Sequence, residues 1–119
     1  MIIPSDQRAL LQSICQQIFD KKGFNILTLD VRDVCMMTDY FIVAEGTVDR
    51  HVQALARSVM DLLSQNGRKP LRTEGEREGD WVALDYGDMV IHFFIPDQRE
   101  KYRLEQVWKE GKVVELSLK

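Results

Sequence analysis

The sequence has little of what would assign it to a secreted, membrane or disulfide-stabilised class. It has only two cysteines in 119 residues, Cys15 and Cys35. They are too few for a disulfide scaffold and form no Cys-x-x-Cys pair, which favours a reducing compartment. No apolar run approaches the roughly 20 residues of a membrane span, and the N-terminus lacks the basic and apolar regions of a signal peptide. The expected location is therefore the cytoplasm.

Basic residues are also fewer than acidic residues. Sixteen Lys and Arg residues against 19 Asp and Glu residues leave a formal net charge of −3. Broad binding of phosphate backbones needs a basic surface, so we expect no direct, sequence-specific binding of nucleic acid. A mildly acidic domain can still gain association rate on a basic protein partner.

Catalytic and ligand-binding motifs are absent as well. The chain has no Gly-x-Gly-x-x-Gly, no Gly-x-x-x-x-Gly-Lys and no His-x-x-x-His, and no spacing of His51 or His92 with carboxylates supports a metal site. Asp30 and Asp33 could hold Mg²⁺, but they are three residues apart and stand next to an arginine. Cys15 lies in an apolar helical stripe, which indicates packing rather than nucleophilic chemistry. We therefore predict no catalytic residue, metal or cofactor.

Apolar periodicity predicts a single domain, 1–119, that combines helices with a sheet. Apolar residues recur at helical spacing over 10–19 and 52–63, after predicted N-caps at Ser5 and Thr47. Short β-prone segments predict strands at 24–31, 39–44, 71–74, 81–84 and 89–95. A last helix is predicted over 102–108, and the tail 111–119 is either a further strand or a mobile terminus.

The order of these elements predicts an α/β (α+β) fold with a mixed sheet of five strands. The strand at 39–44 is apolar almost throughout, which favours a central position, whereas Pro70 favours an edge for the strand that follows it. The strand–helix–strand succession over 39–74 allows one parallel crossover. His51, one turn into the second helix, is interpreted as a structural, hydrogen-bonded histidine.

The stretch Trp81–Pro96 is predicted to form the β-hairpin around which the sheet is organised. Gly87-Asp88 suits a two-residue loop, because glycine accepts the positive φ that begins a type II′ turn. That loop sets the register, since successive residues alternate between the two sides of a strand. One face is then apolar apart from a single phenol and is predicted to be core: Val82, Leu84, Tyr86, Met89, Ile91 and Phe93.

The opposite face of the hairpin mixes aromatic and polar side chains: Trp81, Ala83, Asp85, Val90, His92 and Phe94. Aromatic anchors among a few polar groups are typical of a protein–protein interface. The alternative is that a helix covers this face and that its Trp and Phe belong to the core. The pattern alone leaves both interpretations open.

Several motifs, all in one order, resemble the ribosomal silencing factor family, also called Iojap-like proteins. The motifs are Thr38–Val43, Gly46-Thr47, Asp49–Val52, Glu74-Gly75, Trp81, Asp85–Asp88, Val90–His92, Arg99, Tyr102, Leu104-Glu105 and Trp108. They cover most of the chain. Glu45 departs from the family pattern, because small or polar residues are common at that position, and Ile95 stands where His is frequent.

The resemblance implies a nucleotidyltransferase-like fold without catalytic carboxylates, and a cytoplasmic factor that is not an enzyme. It implies a translational repressor that binds ribosomal protein L-fourteen of the large ribosomal subunit and sterically blocks association of the large and small subunits. It also implies a homodimer in isolation. The alternative function is a nucleotidyltransferase-like nucleotide-binding module or enzyme.

The family's interaction surface maps onto one set of residues in this chain: Trp81, Asp85, Tyr86, Asp88, Met89, His92 and Phe94. We expect Trp81 and Phe94 to be apolar anchors. Asp85 and Asp88 are expected to pair with basic residues of the ribosomal protein, and His92 to form a hydrogen bond that makes binding weakly pH-sensitive. The hairpin register, however, places Tyr86 on the core face.

Overall fold

The computed structural model describes residues 3–102 and 111–119, which form a sheet with two long helices on one side. Within these residues, no helix is both long enough and apolar enough to cross a membrane. The elements, in chain order, are α1 (Ser5–Asp20), β1 (Phe24–Asp30), β2 (Tyr40–Glu45), α2 (Asp49–Gln65), β3 (Arg72–Glu74), β4 (Trp81–Asp85), β5 (Met89–Phe94), α3 (Pro96–Tyr102) and β6 (Lys112–Val113).

The described strands lie in the order β3-β4-β5-β2-β1-β6, and only the β2–β5 pair is parallel. All six residues of β2 are buried, which confirms its predicted central position. The predicted parallel crossover runs from β2 through α2 to the next strand, which is β3. In the structure β3 lies at an edge of the described sheet and pairs with β4. The strand that pairs parallel with β2 is β5. The reason is composition: β5 is apolar enough for a central position, and β3 is short and polar. The α+β fold is confirmed, with six strands rather than five.

The hairpin has the predicted register. Val82 pairs with Phe93 and Leu84 with Ile91, and Gly87 has a φ of +86°. The six residues of the predicted core face are all buried and share one apolar cluster with α1 and α2. The turn position sets which residues share a face, and the apolar composition of one face then determines which side of the sheet the helices cover.

His51 joins the end of α1 to the start of α2. The backbone N–H of Thr47 donates to its Nδ1 at 2.9 Å, so the Nε2–H donates to the carbonyl of Lys21 at 2.8 Å. The predicted structural role of His51 is confirmed. The predicted N-caps are corrected: Ser5 lies inside α1, the residue that precedes α2 is Val48 rather than Thr47, and neither helix has a side-chain cap.

The tail is a short strand followed by a segment that is hydrogen-bonded to α1. β6 pairs with the end of β1. Residues 114–119, which we call the C-terminal strap, then run along α1, and Leu116 and Leu118 pack against the core. Three side chains spaced four residues apart on α1 bind the strap backbone at 2.6–3.1 Å: Arg8, Gln12 and Gln16. Most of the helix predicted over 102–108 lies outside the described residues.

Candidate functional site

The sheet face turned away from α1 and α2 carries the mixed side of the hairpin, and we call it the second sheet face. Its apolar residues form a separate cluster in which Phe41, Val43 and Phe94 are fully buried and Trp81 and Val90 are half-buried. The two aromatic anchors predicted for this face differ in burial. Phe94 is core, whereas Trp81 keeps part of its ring at the surface.

Trp81 and His92 form one hydrogen-bonded unit on this face. The indole N–H of Trp81 donates to His92 Nδ1 at 3.0 Å. Ring centroids lie 4.9 Å apart for Trp81 and Phe94 and 4.8 Å apart for His92 and Phe41. An indole N–H can only donate, so Nδ1 is the acceptor and the imidazole proton resides on Nε2.

The same packing keeps His92 neutral. Burial lowers the pKa of the His92 imidazole from its usual 6.5 to about 4, because the charged form loses hydration inside the cluster. With this pKa the ring keeps its neutral form near neutral pH, which does not favour the expected pH-sensitive binding through His92. His92 is instead a fixed donor at Nε2 and a fixed acceptor for Trp81.

Asp85 and Asp88 already have basic partners within the chain. Asp88 pairs with Arg68 at 2.6 Å. One oxygen of Asp85 accepts the backbone N–H of Gly87 at 2.8 Å, and the other lies 3.5 Å from Arg72. The side chain of Arg72 is mostly exposed, so this second pair is a weak surface contact. A basic partner would replace these intramolecular ion pairs.

Three members of the predicted surface are buried. Tyr86 and Met89 are 6% and 1% exposed and lie on the helix side of the hairpin, and Phe94 is 0% exposed. Burial raises the pKa of Tyr86, and within the described residues its buried hydroxyl has no hydrogen-bond partner. Side chains alternate between the two faces of the sheet, which places Tyr86 and Met89 among the residues packed against the helices. Phe94 lies on the second sheet face and is buried by packing within the second cluster. These three side chains are therefore inaccessible in the described fold, and the accessible members of the predicted surface are Asp88, which is exposed, and Trp81, Asp85 and His92, which are partly buried.

A cavity of about 350 Å³ adjoins Trp81 on this face, and we call it the Trp81 cleft. Sequence reasoning did not find it, because two of its acidic residues come from outside the hairpin. Pairing of Glu74 with Ala83 places Glu74 on the same side as Trp81. The lining residues are Glu74, Gly75, Asp80, Trp81, Ala83, His92 and Gln98.

Glu45 stands where small or polar residues are common in the family, and its charge is paired within the fold. Its side chain is buried, and one carboxylate oxygen accepts from the amide of Asn25 at 3.0 Å and pairs with Arg99 at 3.1 Å. Arg99 also donates to the backbone carbonyl of Asn25. These contacts fasten the first turns of α3 to the ends of β1 and β2, next to the Trp81 cleft.

Other groups that could have supported chemistry are engaged in packing or pairing. Asp30 binds Arg32 through both oxygens at 2.9 and 2.7 Å, which lowers the pKa of that carboxyl. Cys15 is buried 3.1 Å from the hydroxyl of Thr28, and burial raises the pKa of its thiol to about 11, so its predicted packing role is confirmed. Residues 3–102 and 111–119 contain no group of three or more His, Cys, Asp or Glu that could hold a metal ion.

Comparison with known proteins agrees with the motifs. The chain matches the family described as "Ribosomal silencing factor during starvation" over residues 4–119. It is 35% identical over 111 residues to the ribosomal silencing factor RsfS of Bacillus subtilis, covering 93% of this chain and 94% of that protein.

Two crystal structures have the same fold. A protein from Chromobacterium violaceum superposes with a TM-score of 0.82 and 31% identity, covering 94% of this chain and 92% of the other. A protein from Bacillus halodurans superposes with a TM-score of 0.80 and 32% identity, covering 92% and 99% of the two chains. These matches confirm the resemblance, and the chain belongs to the ribosomal silencing factor family.

Proposed function

We propose that this protein is a translational repressor that binds the large ribosomal subunit through ribosomal protein L-fourteen and sterically blocks association with the small subunit. The observation that carries the proposal is the family match over residues 4–119. In this proposal the protein acts in the cytoplasm by occupying a surface, and it catalyses no reaction.

The docking surface we propose comprises Trp81, Asp85 and His92, which are partly buried on the second sheet face, together with the exposed Asp88 at the turn of the hairpin. The hydrogen bond from the Trp81 indole to His92 holds the ring in one orientation before a partner arrives. Such preorganisation reduces the conformational entropy lost on binding. The carboxylates at the turn of the hairpin would attract a basic partner and set its orientation.

Co-sedimentation with purified ribosomal particles tests the proposal. The protein is mixed with isolated large subunits, isolated small subunits and assembled ribosomes, and each mixture is centrifuged through a sucrose cushion. We expect the protein to pellet with large subunits only. No binding to any particle would overturn the proposed function for this chain.

Subunit association measured by light scattering then tests the steric mechanism. Large subunits are incubated with the protein before small subunits are added, and the order of addition is reversed in a parallel sample. We expect association to be blocked only when the protein is added first, because in an assembled ribosome the small subunit covers the large-subunit surface that the protein would bind. Equal association with and without the protein would contradict a steric block.

A further inference from the structure

Two carboxylates that lack a basic partner among the described residues, Glu74 and Asp80, line the Trp81 cleft. Asp85, Asp88 and Glu45 each pair with an arginine of the chain. Among residues 3–102 and 111–119, by contrast, the carboxylates of Glu74 and Asp80 form no hydrogen bond or ion pair, although both line the same cavity. The cleft therefore has negative charge that the described fold does not neutralise.

The remaining walls of the cleft restrict what chemistry it can accept. Trp81 contributes an aromatic surface, and that surface is fixed because its indole N–H is bonded to His92. A phosphate or carboxylate group would be repelled by Glu74 and Asp80. An apolar group would desolvate those carboxylates without pairing them, which is unfavourable. A cation in the cleft would pair with the two carboxylates and lie beside the aromatic ring.

We propose that the Trp81 cleft receives the guanidinium group of an arginine presented by the protein partner, with Glu74 and Asp80 as its ion-pair acceptors and Trp81 as its stacking surface. A guanidinium fits better than an ammonium, because it is planar, stacks on an indole and directs several N–H donors toward carboxylates at once. This inference rests on the proposed function, since the cleft adjoins the proposed docking surface and shares Trp81 and His92 with it.

A small-molecule titration tests the recognition chemistry without any ribosomal particle. N-acetyl-arginine N-methylamide is added to the full chain, and the NMR signals of the Trp81 indole and His92 ring are followed. The corresponding citrulline derivative is the control, because it has nearly the same shape and no charge. We expect shifts with the arginine compound only, and their loss in the Glu74→Gln, Asp80→Asn double variant. No shifts, or equal shifts with both compounds, would overturn the assignment.

Affinity for isolated large subunits tests whether the partner uses the cleft. We expect the double variant to bind about tenfold more weakly, which corresponds to about 1.4 kcal/mol at 25 °C. Glu78→Gln is the matched control, since Glu78 is an exposed carboxylate of the same loop that does not line the cleft. It should bind within about twofold of the wild type. Equal affinities of the double variant and the wild type would overturn the inference while leaving the proposed function intact.

The arginine titration and the affinity for large subunits together distinguish a failure of the cleft assignment from a failure of the proposed function. If the wild type binds no large subunits, the proposed function fails, and with it the inferred partner. The arginine titration then still decides whether the cleft recognises a guanidinium. If the arginine compound binds but the double variant keeps full affinity for subunits, the cleft recognises a cation that the partner does not supply, and the proposal is overturned.

Discussion

His92 is held in one tautomer by the indole of Trp81 and in one charge state by burial, and both constraints come from the same cluster. Protonation of Nδ1 would remove the acceptor for the Trp81 N–H and place a charge among Phe41 and Phe94. Acid should therefore act on the stability of the second sheet face rather than on partner binding near neutral pH.

The His92 pKa gives a prediction with a defined sign. The unfolded chain takes up a proton near pH 6.5 and the folded chain near pH 4. The stability contributed by neutral His92 is therefore fully present above pH 6.5 and is lost as the pH falls toward 4. Between pH 7 and pH 5 the wild type should lose ~2 kcal/mol more free energy of unfolding than His92→Gln, which keeps an acceptor for Trp81 and does not titrate. Urea unfolding of both proteins at the two pH values measures the difference, and equal losses would contradict it.

Trp81 has a role in both packing and proposed binding, and truncation separates the two. Trp81→Ala should weaken binding to large subunits about 30-fold, because truncating an aromatic anchor commonly costs ~2 kcal/mol. The half-buried ring also packs on Phe94, so the variant should lose ~2 kcal/mol of stability and still unfold cooperatively. Binding and urea unfolding are measured together, with Asp61→Ala on the exposed side of α2 as control. A Trp81→Ala protein that is unfolded would show that Trp81 serves the core alone.

On the scale of elements, a buried ion pair contributes to the attachment of α3 to the sheet. Arg99 lies on α3, Glu45 ends β2, and both side chains are largely buried. Removing one member of such a pair leaves the other charge buried without compensation, which is more damaging than removing both.

This asymmetry predicts the outcome of a double-mutant cycle. Arg99→Ala should cost ~3 kcal/mol of stability, and adding Glu45→Gln to it should restore part of that loss, because the unpaired charge is then gone. Urea unfolding of the two single variants and the double variant provides the cycle. Additive losses would show that Glu45 and Arg99 are not energetically coupled.

The hairpin shows how much of the fold local signals determine. Gly87 supplies the positive φ, and alternation from that turn then assigns each hairpin residue to the correct side. The continuous apolar character of β2 likewise predicts its central position. Motif resemblance carries no information about which side of a strand a residue faces, and for that reason it assigned Tyr86 and Met89 to a surface they do not reach.

The contacts between elements that lie far apart in the chain could not be predicted from the sequence. β3 is three residues long and polar, so no periodicity indicates that it brings Glu74 beside Trp81. The pair of Glu45 with Arg99 spans 54 residues. Both arrangements depend on strand order and helix placement that only the assembled fold defines.

For the molecule as a whole, the net charge of −3 predicts a salt effect on association. If the partner surface is basic, the association rate constant with large subunits should fall as ionic strength rises, because exposed charges are screened over about 10 Å at 0.1 M salt. Stopped-flow binding at several salt concentrations measures the slope. Trp81→Ala should keep this slope, since the change is uncharged, and an association rate independent of salt would contradict electrostatic steering.

The C-terminal strap has a consequence for the order in which the chain is made and folded. Its three bonds to α1 join residues 103 to 107 positions apart. During synthesis α1 emerges early, and the segment that covers it is added after every other described element. Contacts between such distant parts of a chain form slowly, because a long loop must close first. The nascent protein therefore carries α1 without the C-terminal strap until residues 114–119 have been synthesised and have reached the helix.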